Sequence, residues 1–263
     1  ENPTSIDFSK NTKFFWDPYP YVIVENCFTE DIFNHLKNSF PKFPVTYDES
    51  DEYSFDVSYP NIKALMAYKE NYNKWINTTT RWNKFFEGWF VSEYNLNSIL
   101  YHYADYYNKY EIVLTEKSSF RTDCYANMTW CSSYNDHSTN IHIDSYTNFW
   151  NCIIFMNDKD WEGGDFNIHK VPDLNSLSES YGNKLTSYPP CIFNIHQTKP
   201  SQKDLDIAPI VKTIESKANR GIFWPALPTS YHSTSLQTNS KSSRDFVYGM
   251  YEFRNGDVFK KRN

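Results

Sequence analysis

The sequence predicts a mainly β chain with flanking helices, of the α+β class, and two observations support this. Short apolar segments bounded by turn-forming residues recur from about residue 120 to residue 254, which is the pattern of buried strands. Apolar residues at helical spacing occur instead between about residues 29 and 110. The predicted strands of the second half are Asn140–Ile143, Phe149–Met156, Phe166–His169, Arg220–Pro225, Tyr231–Thr234 and Arg244–Tyr251.

The first half contains one predicted strand and several predicted helices. Tyr21–Val24 is a short run of strand-forming residues, and a helix is expected from about Glu30 to Phe40. Thr29 is a suitable N-cap for this helix, and Pro41 follows its expected end. Aromatic residues at helical spacing between residues 82 and 107 predict further helices that cover the outer face of the sheet.

We expect a single domain over residues 1–263, with a helical support (about 29–110) and a β core (about 120–254). A long excursion between strands is expected at about 170–209. This segment, from Lys170 to Pro209, is rich in Pro, Ser and Asn. Loops of this length without obvious structure are commonly lids, binding loops or disordered segments, and this excursion is expected to gate the substrate.

Composition argues against two classes of function. The 263 residues carry a net charge of −6 and no long run of Lys or Arg, so no nucleic-acid partner is expected. No apolar stretch approaches the ~20 residues that span a bilayer, so no membrane partner is expected. The five cysteines form no Cys-x-x-Cys pair, which favours reduced thiols. We expect a soluble cytoplasmic protein. Abundant Asn, Lys, Tyr, Phe and Ile indicate an AT-rich coding genome, viral or bacterial, and a viral protein would be expected in the host cytoplasm. The oligomeric state stays open.

The candidate functional residues are His142 and Asp144, separated by one residue, and a distant His232. With 7 histidines and 32 acidic residues, about one His-x-acid pair is expected by chance, so context must support the pair. At a strand end both side chains lie on one face, because side chains alternate with a period of two. Two imidazoles and one carboxylate are the ligands that hold a non-haem ferrous ion with open coordination positions. The sequence therefore predicts an iron oxygenase.

The order of motifs resembles the 2-oxoglutarate and Fe(II)-dependent dioxygenases, most closely the prolyl-4-hydroxylase-like branch. The motifs follow one another over nearly the whole chain. They are the opening strand within Pro18–Thr29, His142-Ile143-Asp144, the pair Met156-Asn157, the turn Gly163-Gly164, the segment Gly221–Pro225, His232, and a basic residue about ten positions later. The interval of 90 positions between the two histidines is longer than usual for this family, and the excess lies in the excursion.

The resemblance implies a distorted double-stranded β-helix, or jelly roll, as the core. It implies that His142, Asp144 and His232 hold Fe(II), with 2-oxoglutarate and O₂ as cosubstrates and ascorbate as a stimulant. The implied reaction hydroxylates an unactivated C–H bond and releases succinate and CO₂. The carboxylate of Asp144 argues against the halogenating relatives, which have a small residue there. The implied substrate is a prolyl residue in a peptide, a free amino acid or another small molecule.

The resemblance also implies a cation for the 5-carboxylate of 2-oxoglutarate. Lys241 and Arg244 both lie near the expected spacing, and Arg244 is favoured because it opens an apolar strand and its planar fork grips a carboxylate bidentately. Tyr134 and Asn151 are the further cosubstrate-binding candidates. At Ile154 a close relative has a second tyrosine, so the remaining hydrogen bonds to the 5-carboxylate are left open.

Two other functions stay open from the residues alone. One is a catalytically silent jelly-roll binding module, and the other is a cupin-type metalloenzyme that does not use 2-oxoglutarate. The second is disfavoured because no His-x-His pair occurs. Among the other histidines, His169 and His196 are expected to be solvated, and His137 is a minor candidate for facing the substrate.

Overall fold

The structure is a computed structural model that describes residues 11–38, 40, 62–64, 112–114, 124–144, 148–170, 200–227, 229–253 and 259–261. These residues are mostly strand, as the sequence predicts. The strands are β1 (Thr12–Phe15), β2 (Tyr21–Val24), β3 (Ile62–Ala64), β4 (Ile112–Leu114), β5 (Cys124–Ser133), β6 (Thr139–His142), β7 (Asn148–Phe155), β8 (Phe166–His169), β9 (Ile210–Ile214), β10 (Gly221–Pro225), β11 (His232–Thr234), β12 (Arg244–Phe253) and β13 (Phe259–Lys261). The helices are α1 (Glu30–Asn38) and α2 (Gln202–Ile207).

Two antiparallel sheets form the frame. The larger has the order β1-β2-β10-β7-β12-β5-β3, and the smaller has the order β6-β11-β8-β9. A separate pair joins β13 to β4. One cluster of buried apolar residues includes Ile153 and Trp224 from the larger sheet and Phe166 and Ile168 from the smaller. The two sheets therefore share one core, and the rings of Phe166 and Trp224 meet there with centroids 4.7 Å apart.

The N-terminal elements follow the sequence prediction closely. Strand β2 coincides with the predicted strand, and all four of its residues are buried. Helix α1 begins at the predicted residue, and the N–H of Phe33 donates to the Thr29 carbonyl at 2.9 Å. It ends at Asn38, two residues earlier than expected. The helices predicted between residues 82 and 107 lie outside the described residues.

The two ends of the excursion lie next to each other at the edge of the smaller sheet. Strand β8 ends at His169 and β9 begins at Ile210, and between their ends the N–H of Lys170 donates to the Pro209 carbonyl at 3.1 Å. Its last part forms α2, which begins after the N-cap Ser201. The interior of the excursion, residues 171–199, lies outside the described residues. Across the described part of the chain, no helix has the length and apolar character needed to cross a membrane.

Candidate active site

The three candidate metal ligands come together at the end of the smaller sheet. Strands β6 and β11 pair so that His142 lies directly opposite His232, and the two imidazole centroids are 4.3 Å apart. Asp144 follows two residues after the end of β6, and its Oδ2 lies 3.5 Å from Nε2 of His232. One ligand atom from each of the three residues lies within 4.8 Å of the others. This spacing suits a single metal ion held from one side.

Both imidazoles are oriented by backbone carbonyls. Nδ1 of His142 lies 2.7 Å from the Asn140 carbonyl, and Nδ1 of His232 lies 3.0 Å from the Ser230 carbonyl. Because a carbonyl only accepts, each Nδ1 carries the proton and each Nε2 offers its lone pair. Burial lowers the pKa of His232 to about 4, so its ring is neutral at pH 7. The protein thus presents both rings in the form that binds a metal.

The Asp144 carboxylate is held on both of its oxygens. The indole Nε1 of Trp224 donates to Oδ2 at 2.7 Å, and the hydroxyl of Tyr248 donates to Oδ1 at 3.0 Å. Trp224 belongs to β10 and is 1% exposed. A buried side chain of the larger sheet therefore orients Asp144, which follows a strand of the smaller sheet. The sequence analysis missed both donors. The available signal for Tyr248 was its even spacing from Arg244, which puts both on the inner face of β12.

Arg244 is almost fully buried, at 1% exposure. Its Nη1 donates to the Ser133 hydroxyl at 3.1 Å, and this hydroxyl donates to Oε1 of Gln237 at 2.8 Å. The guanidinium carbon lies 4.6 Å from the Phe246 ring centroid and 5.4 Å from that of Phe155. Within the described part of the chain, its buried Nε has no hydrogen-bond partner. The guanidinium is therefore packed by aromatic rings and only partly satisfied.

No carboxylate among the described residues lies at ion-pairing distance from Arg244. Burial lowers the pKa of Arg244 to about 10, while the charge of Asp165 acts in the opposite direction, so the group stays charged at pH 7. Asp165 already has its own cation, because Nζ of Lys159 lies 2.9 Å from each of its carboxylate oxygens. Arg244 is thus a buried cation that needs an anion.

Lys241 is placed differently from Arg244. It is exposed, and its backbone N–H points to the Asp160 carbonyl at 3.5 Å in a surface loop. Of the two basic candidates for the cosubstrate, only Arg244 lies in the core between the sheets.

Asn151 and Tyr134 occupy unequal positions. Asn151, on β7, is fully buried, and its Oδ1 lies 3.4 Å from the Tyr248 hydroxyl, so it is linked to the metal ligands through one side chain. Tyr134 follows the end of β5 and is half-buried, which raises its pKa; its hydroxyl contacts the Ser243 side chain near Asp245. The structure therefore brings Asn151 to the candidate site but groups Tyr134 with residues on the other face of the β5–β12 pair.

The expectation that His169 is solvated is wrong. His169 ends β8 with no exposed surface, with Nδ1 2.7 Å from the Ala208 carbonyl and Nε2 2.8 Å from the Ser233 hydroxyl. The returning end of the excursion covers it, and both ring nitrogens are satisfied, which the local sequence did not indicate. His137 is also buried, at 2% exposure, and His196 lies outside the described residues.

The turn Gly163-Gly164 passes close to the Arg244 side chain. Both glycines have positive φ, of 66° and 68°, which other residues rarely adopt. A Cβ on Gly164 would lie 3.0 Å from Nε1 of Trp161 and 3.1 Å from Cδ of Arg244. The absence of a side chain at Gly164 thus makes room for these two buried groups.

Comparison with solved structures finds similar chains in one family of enzymes. Solved structures similar to this chain are members of the 2OG-Fe(II) oxygenase family, including prolyl 4-hydroxylases, which is the resemblance that the sequence motifs carry. No protein-family profile and no curated protein sequence matches the chain.

Three of these structures illustrate the similarity. The 2OG-Fe(II) oxygenase family oxidoreductase from Burkholderia pseudomallei has 10% identity and a TM-score of 0.40, with 90% of this chain and 86% of that chain covered. The Pseudomonas putida prolyl-4-hydroxylase has 8% identity and a TM-score of 0.41, with 89% and 93% covered. HygX from Streptomyces hygroscopicus, solved with nickel and 2-oxoglutarate bound, has 9% identity and a TM-score of 0.43, with 92% of each chain covered.

Proposed function

We propose that this protein is an Fe(II)- and 2-oxoglutarate-dependent oxygenase that hydroxylates an unactivated C–H bond. The observation that carries the proposal is the buried guanidinium of Arg244, which faces the core shared with the three candidate metal ligands and has no carboxylate partner among the described residues. A buried charge without a partner is costly, so a folded protein that keeps one is suited to bind an anion there.

The donor set fits Fe(II). His142, Asp144 and His232 would hold the ion through two imidazoles and one carboxylate, and three protein donors leave further coordination positions for small ligands. The chemistry that Fe(II) supplies together with 2-oxoglutarate and O₂ is insertion of one oxygen atom into a C–H bond, with release of succinate and CO₂. The protein contributes orientation and the exclusion of water.

The charges also fit 2-oxoglutarate. The Asp144 carboxylate and a dicarboxylate carry three negative charges, and a divalent ion with the Arg244 guanidinium carries three positive ones. Binding both ligands therefore adds no net charge to the core, whereas the metal alone or the dianion alone would leave two charges uncompensated. One carboxylate of the dianion would lie toward the metal and the other toward Arg244, which supports a 2-oxo diacid over a simple 2-oxo acid. Asn151 lies near the metal end and is a proposed cosubstrate contact. Tyr134, which contacts the Ser243 side chain, also stays a proposed cosubstrate contact.

The strand order supports a jelly-roll frame for this chemistry. From β5 to β12 the chain passes repeatedly between the two sheets, and the ladders between the described strands are antiparallel. Aromatic rings line the metal site: Phe166 stacks on His232 with centroids 5.1 Å apart and planes at 16°.

We propose a prolyl residue of a peptide, or a free amino acid, as the substrate. Mass spectrometry of candidate substrates would detect a 2-oxoglutarate-dependent gain of one oxygen atom.

The proposal is tested by titrating 2-oxoglutarate into Fe(II)-loaded protein without O₂ and following the charge-transfer absorbance of the chelated iron. Arg244→Ala should weaken 2-oxoglutarate binding by about two to four orders of magnitude, since removing one partner of a buried charge pair costs roughly 3–5 kcal/mol. Lys241→Ala is the matched control and should bind normally. Loss of binding in Lys241→Ala with normal binding in Arg244→Ala would reverse the assignment. No saturable binding to the wild type would refute the proposed function.

A further inference from the structure

A second buried donor lies beside Arg244. Trp161, in the turn between β7 and β8, is 5% exposed, and its indole Nε1 is buried without a hydrogen-bond partner among the described residues. Buried polar groups are nearly always satisfied, so each exception calls for a physical reason. The buried Nε of Arg244 is a second such exception.

Gly164 puts these two donors on the same side of the turn. The position that its Cβ would take is 3.0 Å from Nε1 of Trp161 and 3.1 Å from Cδ of Arg244, the carbon bonded to Nε. Because both atoms lie close to this one point, the indole N–H and the Arg244 side chain are neighbours. Neither Nε1 of Trp161 nor Nε of Arg244 has an acceptor among the described residues.

The turn that carries Trp161 is fixed at several points. Glu162 and Thr238 exchange backbone hydrogen bonds of 2.8 and 2.9 Å, and the N–H of Gly164 donates to the Ser235 carbonyl at 3.1 Å. The Asp165 carboxylate accepts from Lys159 and from the Ser216 N–H. The backbone that carries Trp161 is therefore fixed, and its side chain is packed at 5% exposure, so the indole N–H is preorganised for an incoming acceptor.

We propose that the Trp161 indole N–H and the Arg244 guanidinium together bind the far carboxylate of the cosubstrate, which makes Trp161 a specificity-determining residue for 2-oxo diacids. This inference rests on the proposed function. A carboxylate fits better than a neutral acceptor because it satisfies two donors with its two oxygens and neutralises the buried guanidinium. Each N–H donates to one carboxylate oxygen, and no proton is transferred.

The test compares two 2-oxo acids in Fe(II)-loaded protein without O₂. 2-Oxoglutarate and 2-oxopentanoate share the same five-carbon chain and the chelating end, but only the first has the far carboxylate. Trp161→Phe keeps an aromatic ring and removes only the N–H donor. We expect it to weaken 2-oxoglutarate binding by about 10- to 100-fold, the range for a lost hydrogen bond to a charged group, and to leave 2-oxopentanoate binding unchanged. Trp16→Phe, the same substitution at a residue 42% exposed, is the matched control and should change neither affinity.

Three outcomes would overturn the inference. Equal weakening of both acids would make Trp161 a packing residue, and unchanged 2-oxoglutarate affinity would mean that the indole binds no carboxylate. A wild-type protein that does not prefer 2-oxoglutarate over 2-oxopentanoate would remove the proposed function as well. The first two outcomes leave that function standing.

An NMR experiment on the wild type covers the case in which Trp161→Phe does not fold. With ¹⁵N-labelled, Zn(II)-loaded protein, one of the eight indole N–H resonances should move downfield on addition of 2-oxoglutarate and not on addition of 2-oxopentanoate. Absence of any such shift at saturating 2-oxoglutarate overturns the inference.

Discussion

The two ends of the core between the sheets differ in how completely the protein satisfies its own polar groups. Around Asp144, each carboxylate oxygen has a donor, and the imidazoles of His142 and His232 each have a carbonyl at Nδ1. Around Arg244, the guanidinium Nε and the nearby Trp161 indole N–H have no partner among the described residues. The first end is arranged in advance for a cation, and the second lacks an anion.

This difference indicates how each end of the core contributes to the free energy of binding its own ligand. Ligands that are already oriented lose little entropy when a metal binds, so the first end should bind tightly and tolerate few changes. Donors that are desolvated but unsatisfied favour any anion that fits, so the second end should select by charge and shape. Substitutions at each end should therefore affect different ligands.

The largest expected effect is on metal binding at the first end. His232→Ala or His142→Ala should weaken Fe(II) binding by more than about 1,000-fold, well beyond the 10- to 100-fold typical of losing an orienting partner. Isothermal titration without O₂ measures this. His35→Ala, on the exposed face of α1, is the matched control. Undiminished Fe(II) affinity in either ligand variant would remove that residue from the metal site. The first end could then no longer be described as a cation site.

The next effect concerns His169, whose ring is buried and therefore favours the neutral form. Burial lowers the pKa of His169 to about 4, from about 6.5 when unfolded, so between these values the unfolded chain binds more protons. The free energy of unfolding of the metal-free protein should therefore fall as pH drops from 6.5 to 4, by about 3 kcal/mol for this residue. Urea unfolding at several pH values measures the fall.

His169→Gln should remove that share of the acid sensitivity. Because burial lowers the pKa of His232 to a similar value, roughly half of the combined fall should remain in the variant. An unchanged pH dependence in His169→Gln would mean that the His169 ring is not buried as a neutral group in solution.

A smaller effect is expected from the donors to Asp144. Trp224→Phe and Tyr248→Phe keep most of the packing and each remove one hydrogen bond to the carboxylate. Each should weaken Fe(II) binding by about 10- to 100-fold, with little change in 2-oxoglutarate affinity at saturating iron. Tyr21→Phe offers a control at another buried tyrosine. If 2-oxoglutarate binding changed more than Fe(II) binding, these donors would belong to the second end rather than the first.

The smallest expected effect is on 2-oxoglutarate affinity at the second end. In Gly164→Ala the added methyl group would press on the Trp161 indole and on the Arg244 side chain, and the positive φ adds strain. We expect about 10-fold weaker 2-oxoglutarate binding and an unchanged Fe(II) affinity in the same titrations. A variant with weakened Fe(II) binding instead would show that the two ends are not independent.

The sequence was sufficient wherever the signal was local. Strand β2 and the start of α1 follow from a short run of strand-forming residues and from a capping pattern. The preference for Arg244 over Lys241 follows from the position of Arg244 at the start of an apolar strand. Proximity across the core was not predictable, because alternation gives the face of a strand but not which residue of another sheet lies opposite. The contacts of Trp224 and Tyr248 with Asp144 were missed for this reason. The burial of His169 was missed because the segment that covers it lies some 40 positions further along the chain.

The direct pairing of His142 with His232 has a consequence for folding. The two residues are 90 positions apart, so their strands pair only when a loop of that length has closed. Ladders between distant segments form slowly, because the entropy of closing a long loop must be overcome first. A nascent or partly folded chain therefore cannot assemble the complete ligand set. Only folded chains would therefore bind a metal at this site. Unfolded chains, which have no core around the ligands, would not bind a redox-active ion there.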